Sequence, residues 1–358
     1  MQAKNNKLFL KQAWAKKFLD KRLKKYWPKA KKVVSLKIEL IKVFLDYLRF
    51  TVRYRVSTEN TNGEIENRTV IIKTERTKKF DWPPRIGKVQ RDFLATSFLG
   101  KHGLSLHIPR PLEFYKPLRA YLYEEAPGEP LKNFIQPKKW RADLFYKKIP
   151  DVAKILKKLH SIKRRPSFVP GNPKKIIEDG LQKWFDIIGK YYPAGEERAR
   201  KIISILKRME TRHKDIIFGK KHYCITHGDF QNDNILVGPK GNIALIDFAD
   251  CKFFNPMDDL ASFLIQSESH FKYVRPKIYR QLTEKLKERF FFSYFGRSIK
   301  HSEEMQINFF SAKDILRIIT FVSFTQKTWQ TINDHSQMMD NLLTFAEEKV
   351  KILETKYL

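Results

Sequence analysis

The stretch Ile225-Thr226-His227-Gly228-Asp229-Phe230-Gln231-Asn232-Asp233-Asn234-Ile235-Leu236-Val237, followed by Ile243-Ala244-Leu245-Ile246-Asp247-Phe248, narrows the choice of folds more than any other part of the chain. Its apolar runs are short enough to be strands, and Gly238 to Asn242 supplies the turn of a hairpin between two of them. Each strand runs into carboxylate-bearing residues, so the hairpin is expected to bring Asp229, Asn234 and Asp247 to one edge. Asp and Asn oxygens are hard ligands suited to Mg²⁺, and a carboxylate held just beyond them can orient and deprotonate a hydroxyl. Metal-assisted phosphoryl transfer asks for this set, because its catalysis is mainly positioning and neutralisation of phosphate charge.

Around this stretch the pattern has two halves. Lys32 to Ile41, Arg49 to Thr58 and Arg68 to Thr74 alternate β-branched and aromatic residues with polar ones, and Asn60-Thr61-Asn62-Gly63 forms a turn within them. A helical stretch from Gln90 to Lys101 and two further strands, Ile108 to Phe114 and Arg119 to Glu125, complete a small N-terminal lobe over 33–126. The turn residues Ala126-Pro127-Gly128 end the β pattern, and 127–358 reads as mainly helical, Asp151 to His160 being a clear buried stripe. The expectation is an α+β, two-lobed fold, with 28 Phe available for its core. No apolar run approaches the roughly 20 residues of a membrane span. With only Cys224 and Cys251 there is neither a disulfide framework nor a metal spacing, and no signal-peptide pattern opens the chain, which suits a cytoplasmic protein.

The motif H-G-D-x-x-x-x-N (His227 to Asn234), with I-D-F at 246–248 and D-D-L-A at 258–261, resembles the aminoglycoside phosphotransferase and choline kinase group, which shares the protein-kinase-like fold. V-I-I-K (Val70 to Lys73), E-E-A-P-G-E-P-L (Glu124 to Leu131) and L-K-K-L-H (Leu156 to His160) fall in the matching order. The resemblance implies that Asp229 is the catalytic aspartate and that Asn234 and Asp247 hold Mg²⁺ against the phosphates of ATP or GTP. It implies that Lys73 contacts the α- and β-phosphates, with Asp92 as its helix partner, and that the backbone of Glu124, Glu125 and Ala126 meets the adenine. His227 and Asp259 would brace the catalytic loop. The chain departs from the group's pattern in three places: no glycine near Lys42 to Leu48, where the nucleotide-covering loop falls; Asp92 where Glu is usual; and Gln231 where a basic residue or His is frequent. The acceptor implied is a small hydroxyl-bearing molecule such as an aminoglycoside, amino alcohol or sugar.

Lys and Arg number 71 against 39 Asp and Glu, a net charge of +32. Such an excess suits an anionic partner or is simply a lysine-rich surface. No RNA-recognition signature accompanies it, and no specific nucleic acid is expected. Residues 1–32 hold twelve basic residues and one acidic one, with Leu8, Phe9, Leu10, Trp14, Phe18 and Leu23 at helical spacing. They read as a basic amphipathic helix ending near Pro28, expected to pack on the lobe behind it, the alternative being an anionic membrane surface at the inner face. That alternative would suit a kinase of a lipid-linked or lipopolysaccharide-type sugar. The rival outside catalysis is a nucleotide-binding pseudokinase or RNA-associated scaffold, which the intact Asp229, Asn234 and Asp247 oppose. Asp250 is expected to cap a turn, the alternative being that it assists metal or substrate binding, and His102, His107, His160 and His222 are expected to be structural or exposed. The cysteines are expected to be small buried hydrophobes, and the aromatics of 290–295 and 309–329 to form core.

Overall fold

A computed structural model describes residues 7–43, 50–74, 87–169, 173–324 and 332–358. The glycine-free stretch expected to cover the nucleotide falls largely outside them, as does the end of the 309–329 aromatic segment. The chain divides into two units, Met1–Glu129 with Leu236–Cys251, and Pro130–Ile235 with Lys252–Leu358.

The first unit is built on an antiparallel sheet of β1 (Ala30–Val43), β2 (Phe50–Asn60), β3 (Ile65–Thr74), β4 (Pro111–Tyr115) and β5 (Ala120–Glu124), in the order β1-β2-β3-β5-β4. Alternation decides what each face meets. In β2 the residues Phe50, Val52, Tyr54 and Val56 turn inward to one apolar cluster. The N-terminal segment covers that face, burying Phe9, Phe18, Leu19, Leu23, Tyr26 and Trp27 against it. The opposite face carries Ile71, Tyr121 and Tyr123, on which helix α2 (Lys88–Leu99) packs Val89 and Phe93; helix α1 (Gln12–Asp20) belongs to the N-terminal segment.

That segment is not the single helix expected. It is a 3₁₀ turn at Lys7–Leu10, then α1, then one turn at Leu23–Tyr26. The breaks follow from its partners: Arg22 and Tyr26 both converge on Glu113 of β4, the Arg22 Nε–Glu113 Oε2 distance being 2.7 Å, while Arg22 also lies 4.0 Å over the Phe18 ring. A straight helix keeps one stripe on one line, whereas these contacts follow the sheet around. The apolar stripe is therefore core, as the packing expectation had it.

The second unit is helical: α3 (Ala142–His160), α4 (Pro173–Tyr191), α5 (Glu196–Arg212), α6 (Met257–Val274), α7 (Tyr279–Phe295), α8 (His301–Phe324) and α9 (Ile332–Tyr357). α3 starts well before Asp151 and carries Pro150 inside it, because Phe145, Tyr146 and Ile149 continue the buried stripe upstream. α6 is buried on nearly every side, with α7 and α8 packed on it. Two short strands, β6 (Cys224–Thr226) and β9 (Lys252–Phe254), pair antiparallel at its base. Between them in sequence lie β7 (Ile235–Val237) and β8 (Ile243–Leu245), the expected hairpin, its turn closed by Gly238 N–H to Asn242 O at 2.8 Å. No helix among the described residues is long and apolar enough to cross a membrane.

Candidate active site

The residues expected to form the site fall into two sets, one in each unit. In the first, Lys73 near the end of β3 stands between two carboxylates, with Nζ 2.9 Å from Asp92 Oδ2 and 3.3 Å from Asp247 Oδ1. Burial alone would push the ammonium toward neutrality, but the negative groups around it, Asp92 first, outweigh that and raise its pKa well above the usual lysine value. Lys73 therefore stays charged. Aspartate suffices where glutamate is usual because α2 lies directly on the sheet through Val89 and Phe93, so the shorter side chain still reaches.

Asp92 is buried and has a second role: its Oδ1 accepts the Phe248 N–H at 2.9 Å. That bond fixes the residue after Asp247, whose backbone sits at φ +67, a left-handed conformation that Asp tolerates better than most residues. The Asp247 side chain is 44% exposed. Asp250 does not serve as a turn cap by side chain; it meets Lys88 at 2.8 Å. In the expected adenine-binding segment the Glu124 N–H donates to Arg110 O and the Glu125 N–H to Thr69 O. The side chain of Glu124 accepts from Trp27 Nε1 at 2.7 Å and that of Glu125 from Arg53 Nε at 3.0 Å. Of the three amides expected to meet the base, only that of Ala126 has no hydrogen bond among the described residues. Gly128 follows at φ +142, and a Cβ there would come within 2.6 Å of Val237 O, so only glycine fits.

The second unit holds the loop 227–234. Asp259, in the first turn of α6, gathers it: Oδ2 accepts the His227 N–H at 2.6 Å, Oδ1 accepts the Gly228 N–H at 2.8 Å, and His160 Nε2 lies 3.0 Å from Oδ2. His160 in turn meets the Tyr294 hydroxyl at 2.6 Å. The loop delivers Asp229 into a set of donors. Gln231 Nε2 donates to Oδ2 at 2.9 Å, and Asn234 Nδ2 donates to the same oxygen at 3.1 Å and to the Asp229 carbonyl at 2.9 Å. With its nitrogen so used, Asn234 keeps its amide oxygen, the end a metal ion takes. Asn232 Nδ2 ties the loop to Ser267 Oγ at 2.9 Å.

Two residues here, Arg317 and Asp314, have no sequence signature. Arg317 of α8 brings Nη2 to 3.4 Å from Asp229 Oδ1 and is held by Asp314, whose Oδ1 lies 2.7 Å from Nε. Beside them Asp258 is buried between Lys252, at 2.8 Å, and Lys313. Burial opposes its charge, yet the two lysines hold its pKa well below the usual carboxylate range. Cys224 and Cys251 are buried, and burial pushes the Cys224 thiol up to about 12. Both are small buried side chains that fill space.

The sequence profile of the phosphotransferase enzyme family matches residues 54–295, two thirds of the chain. The chain belongs to this family. Among curated proteins no sequence matches it significantly. Solved structures agree on the fold of this phosphotransferase. A putative aminoglycoside phosphotransferase from Ralstonia eutropha superposes with a TM-score of 0.65 at 13% identity, covering 94% of this chain and 98% of that one. The choline kinase LicA from Streptococcus pneumoniae gives 0.55 at 13% identity, over 94% and 99%. An amicoumacin kinase, hAmiN, solved with AMP-PNP, Ca²⁺ and Ami, gives 0.59 at 13% identity, over 93% of each chain. The kinase-like fold expected from the sequence is thus the fold observed.

Proposed function

We propose that this phosphotransferase moves the γ-phosphoryl group of ATP to a hydroxyl of a small molecule, with a divalent metal ion, Mg²⁺ in the cell. The observation that carries the reading is Asp229, held by Gln231 and Asn234 on a loop that Asp259 braces, in a chain of this family. Asp229 accepts the proton of the acceptor hydroxyl as that oxygen forms its bond to the γ-phosphorus. The bond from the same phosphorus to the bridging β-phosphate oxygen breaks, and ADP leaves. Lys73, kept charged between Asp92 and Asp247, binds the α- and β-phosphates, and the Ala126 amide meets the base.

The donor set suits such an ion. Asp247 would supply a carboxylate and Asn234 an amide oxygen, both hard ligands. Few protein ligands are the usual arrangement where phosphate oxygens and water complete the coordination of Mg²⁺. When bound, the ion would neutralise phosphate charge.

The test is a thermal-shift titration with ATP and Mg²⁺, followed by an ATP-consumption screen across amino alcohols, aminoglycosides, sugars and lipid A-type glycolipids, with Asp229→Asn as control. Nucleotide-dependent stabilisation lost in Asp247→Ala, and acceptor-dependent ATP consumption lost in Asp229→Asn, are expected. A chain showing neither would sink the reading, and salt-sensitive RNA binding without turnover would favour a scaffold.

A membrane-borne acceptor is supported by one observation: Lys11, Lys16, Lys17, Lys21, Lys24 and Lys25 stay exposed while Ala15, Phe18, Leu19 and Leu23 among them are buried. Electrostatic docking on an anionic bilayer would then use lysines alone, at about 1 kcal/mol each. Removing residues 1–32 would strip the sheet of its core, so the proper variant replaces these lysines with glutamine and is assayed by liposome co-sedimentation.

A further inference from the structure

Among the described residues, the carboxylates around the catalytic loop in the second unit are already neutralised. Asp233 pairs with Lys132, Asp258 with Lys252 and Lys313, and Glu268 with Lys349 at 2.9 Å. Asp314 pairs with Arg317, and Asp259 accepts the loop amides and faces His160. An acceptor bearing an ammonium group must exchange its hydration for carboxylates or aromatic faces. Among the described residues, the acids named here are each matched by a cation or by amide donors.

The exposed charge beside Asp229 has the opposite sign. The Arg317 side chain is 38% exposed, so solvent and ligand reach it, and the buried Asp314 fixes its guanidinium in place. It lies 3.4 Å from the oxygen that would take the acceptor's proton, within one small molecule's length of the reacting hydroxyl. A planar guanidinium held in this way suits a phosphate or carboxylate, which it can meet with paired hydrogen bonds, and repels a nearby ammonium. The net charge of +32 would also steer an anion toward the protein.

We propose that Arg317 recognises the acceptor, and that the acceptor is an anion, a sugar or alcohol carrying a phosphate or carboxylate close to the hydroxyl that is phosphorylated. The inference rests on the reading of Asp229 as the catalytic base. It departs from the cationic character of choline and aminoglycosides, the acceptors named for structures that share this fold.

The test uses the full chain saturated with AMP-PNP and Mg²⁺, which occupies the nucleotide side, and a hexose series differing in little but charge: glucosamine, glucose, glucuronate and glucose 1-phosphate. Binding is read by thermal shift. The anionic members are expected to stabilise the protein at lower concentration than glucose, and glucosamine least of all. Because Arg317→Gln alone would leave Asp314 buried without its partner, the variant is Asp314→Asn with Arg317→Gln, its AMP-PNP shift confirming that it folds. In it the anionic sugars are expected to bind at least about tenfold more weakly, the scale of a lost hydrogen bond to a charged group. Arg317→Lys, which keeps the charge and loses the fork, should fall between. Glucosamine binding as well as the anionic sugars, no stabilisation by either anionic sugar, or equal binding to the double variant would each overturn the proposal. If those failures come with an intact AMP-PNP shift, only the anionic acceptor is rejected; if the nucleotide shift is absent as well, the kinase reading falls with it.

Discussion

Each unit holds a loop of the proposed site by the same means, a buried helix aspartate that accepts backbone amides next to the aspartate proposed to act there. In the first unit Asp92 of α2 takes the N–H of Phe248, beside Asp247; in the second Asp259 of α6 takes those of His227 and Gly228, just before Asp229. The remaining partner differs. Asp92 also binds the Lys73 ammonium, whereas Asp259 faces the His160 ring. One anchor therefore holds the cation proposed to bind phosphate while it fixes a loop, and the other only positions. Substitutions at the two should separate in kinetics even where they look alike in stability.

The largest effect is expected from Asp259→Ala. It strips two backbone amides of a buried acceptor, at about 1–3 kcal/mol each, so urea denaturation should show a loss of about 2–5 kcal/mol. Activity would fall with it because Asp229 loses its brace, while KM for ATP in the folded fraction stays near the wild-type value. Asp259→Asn keeps one acceptor oxygen and should recover part of the stability. An alanine variant of wild-type stability would show that the loop holds its shape without this carboxylate.

Asp92→Asn comes next. The amide oxygen can still accept from Phe248, so the loop persists, but the ion pair with Lys73 is lost and only Asp247 remains beside the ammonium. A stability loss of about 1–3 kcal/mol is expected, together with a KM for ATP raised about tenfold. Equal shifts in KM for Asp92→Asn and Asp259→Asn would erase the distinction between the two anchors. Asp92→Glu restores the residue usual in the family yet should cost about 1–3 kcal/mol, since α2 already sits close enough for the shorter side chain and the extra methylene has no room.

The two anchors were not equally legible. Asp259 sits in D-D-L-A, close in sequence to the hairpin, and its position could be read from motif order. Asp92 could be placed, but whether its short side chain reached Lys73 depended on how closely α2 packs, which Val89 and Phe93 decide through contacts with β5. Arg317 was invisible. It lies 88 residues beyond Asp229, and with Asp314 three positions before it the pair looks like any i,i+3 helix pair. Only the packing of α8 on α6 turns it toward the loop. The antiparallel strands of the N-terminal lobe, its one helix and the hairpin of residues 235–245 were readable, because alternation, turns and motif spacing are local. The breaks in the N-terminal helix were not, because the distant β4 residue Glu113 sets them.

The smallest effect expected concerns acid, and it sharpens the contrast from the side of the second unit. Asp258 has a folded-state pKa lowered by Lys252 and Lys313 despite burial, and Asp314 likewise by Arg317 and Lys313. A carboxylate with a depressed folded pKa contributes stability that is fully present above its unfolded value, near ~3.9, and is lost as pH falls through the folded value. The melting temperature should therefore decline as pH drops below about 4, because the unfolded chain then binds protons that the native network excludes. Asp258→Asn alone would leave the buried Lys313 short of a counter-charge, so the informative variant pairs it with Lys313→Gln. That double variant should start from a lower melting temperature at neutral pH and fall less steeply between about pH 4 and pH 3. Parallel slopes for the two proteins would mean that Asp258 does not govern acid stability, and would move that role to carboxylates such as Glu113 and Glu124 of the first unit, whose pKa values are also depressed.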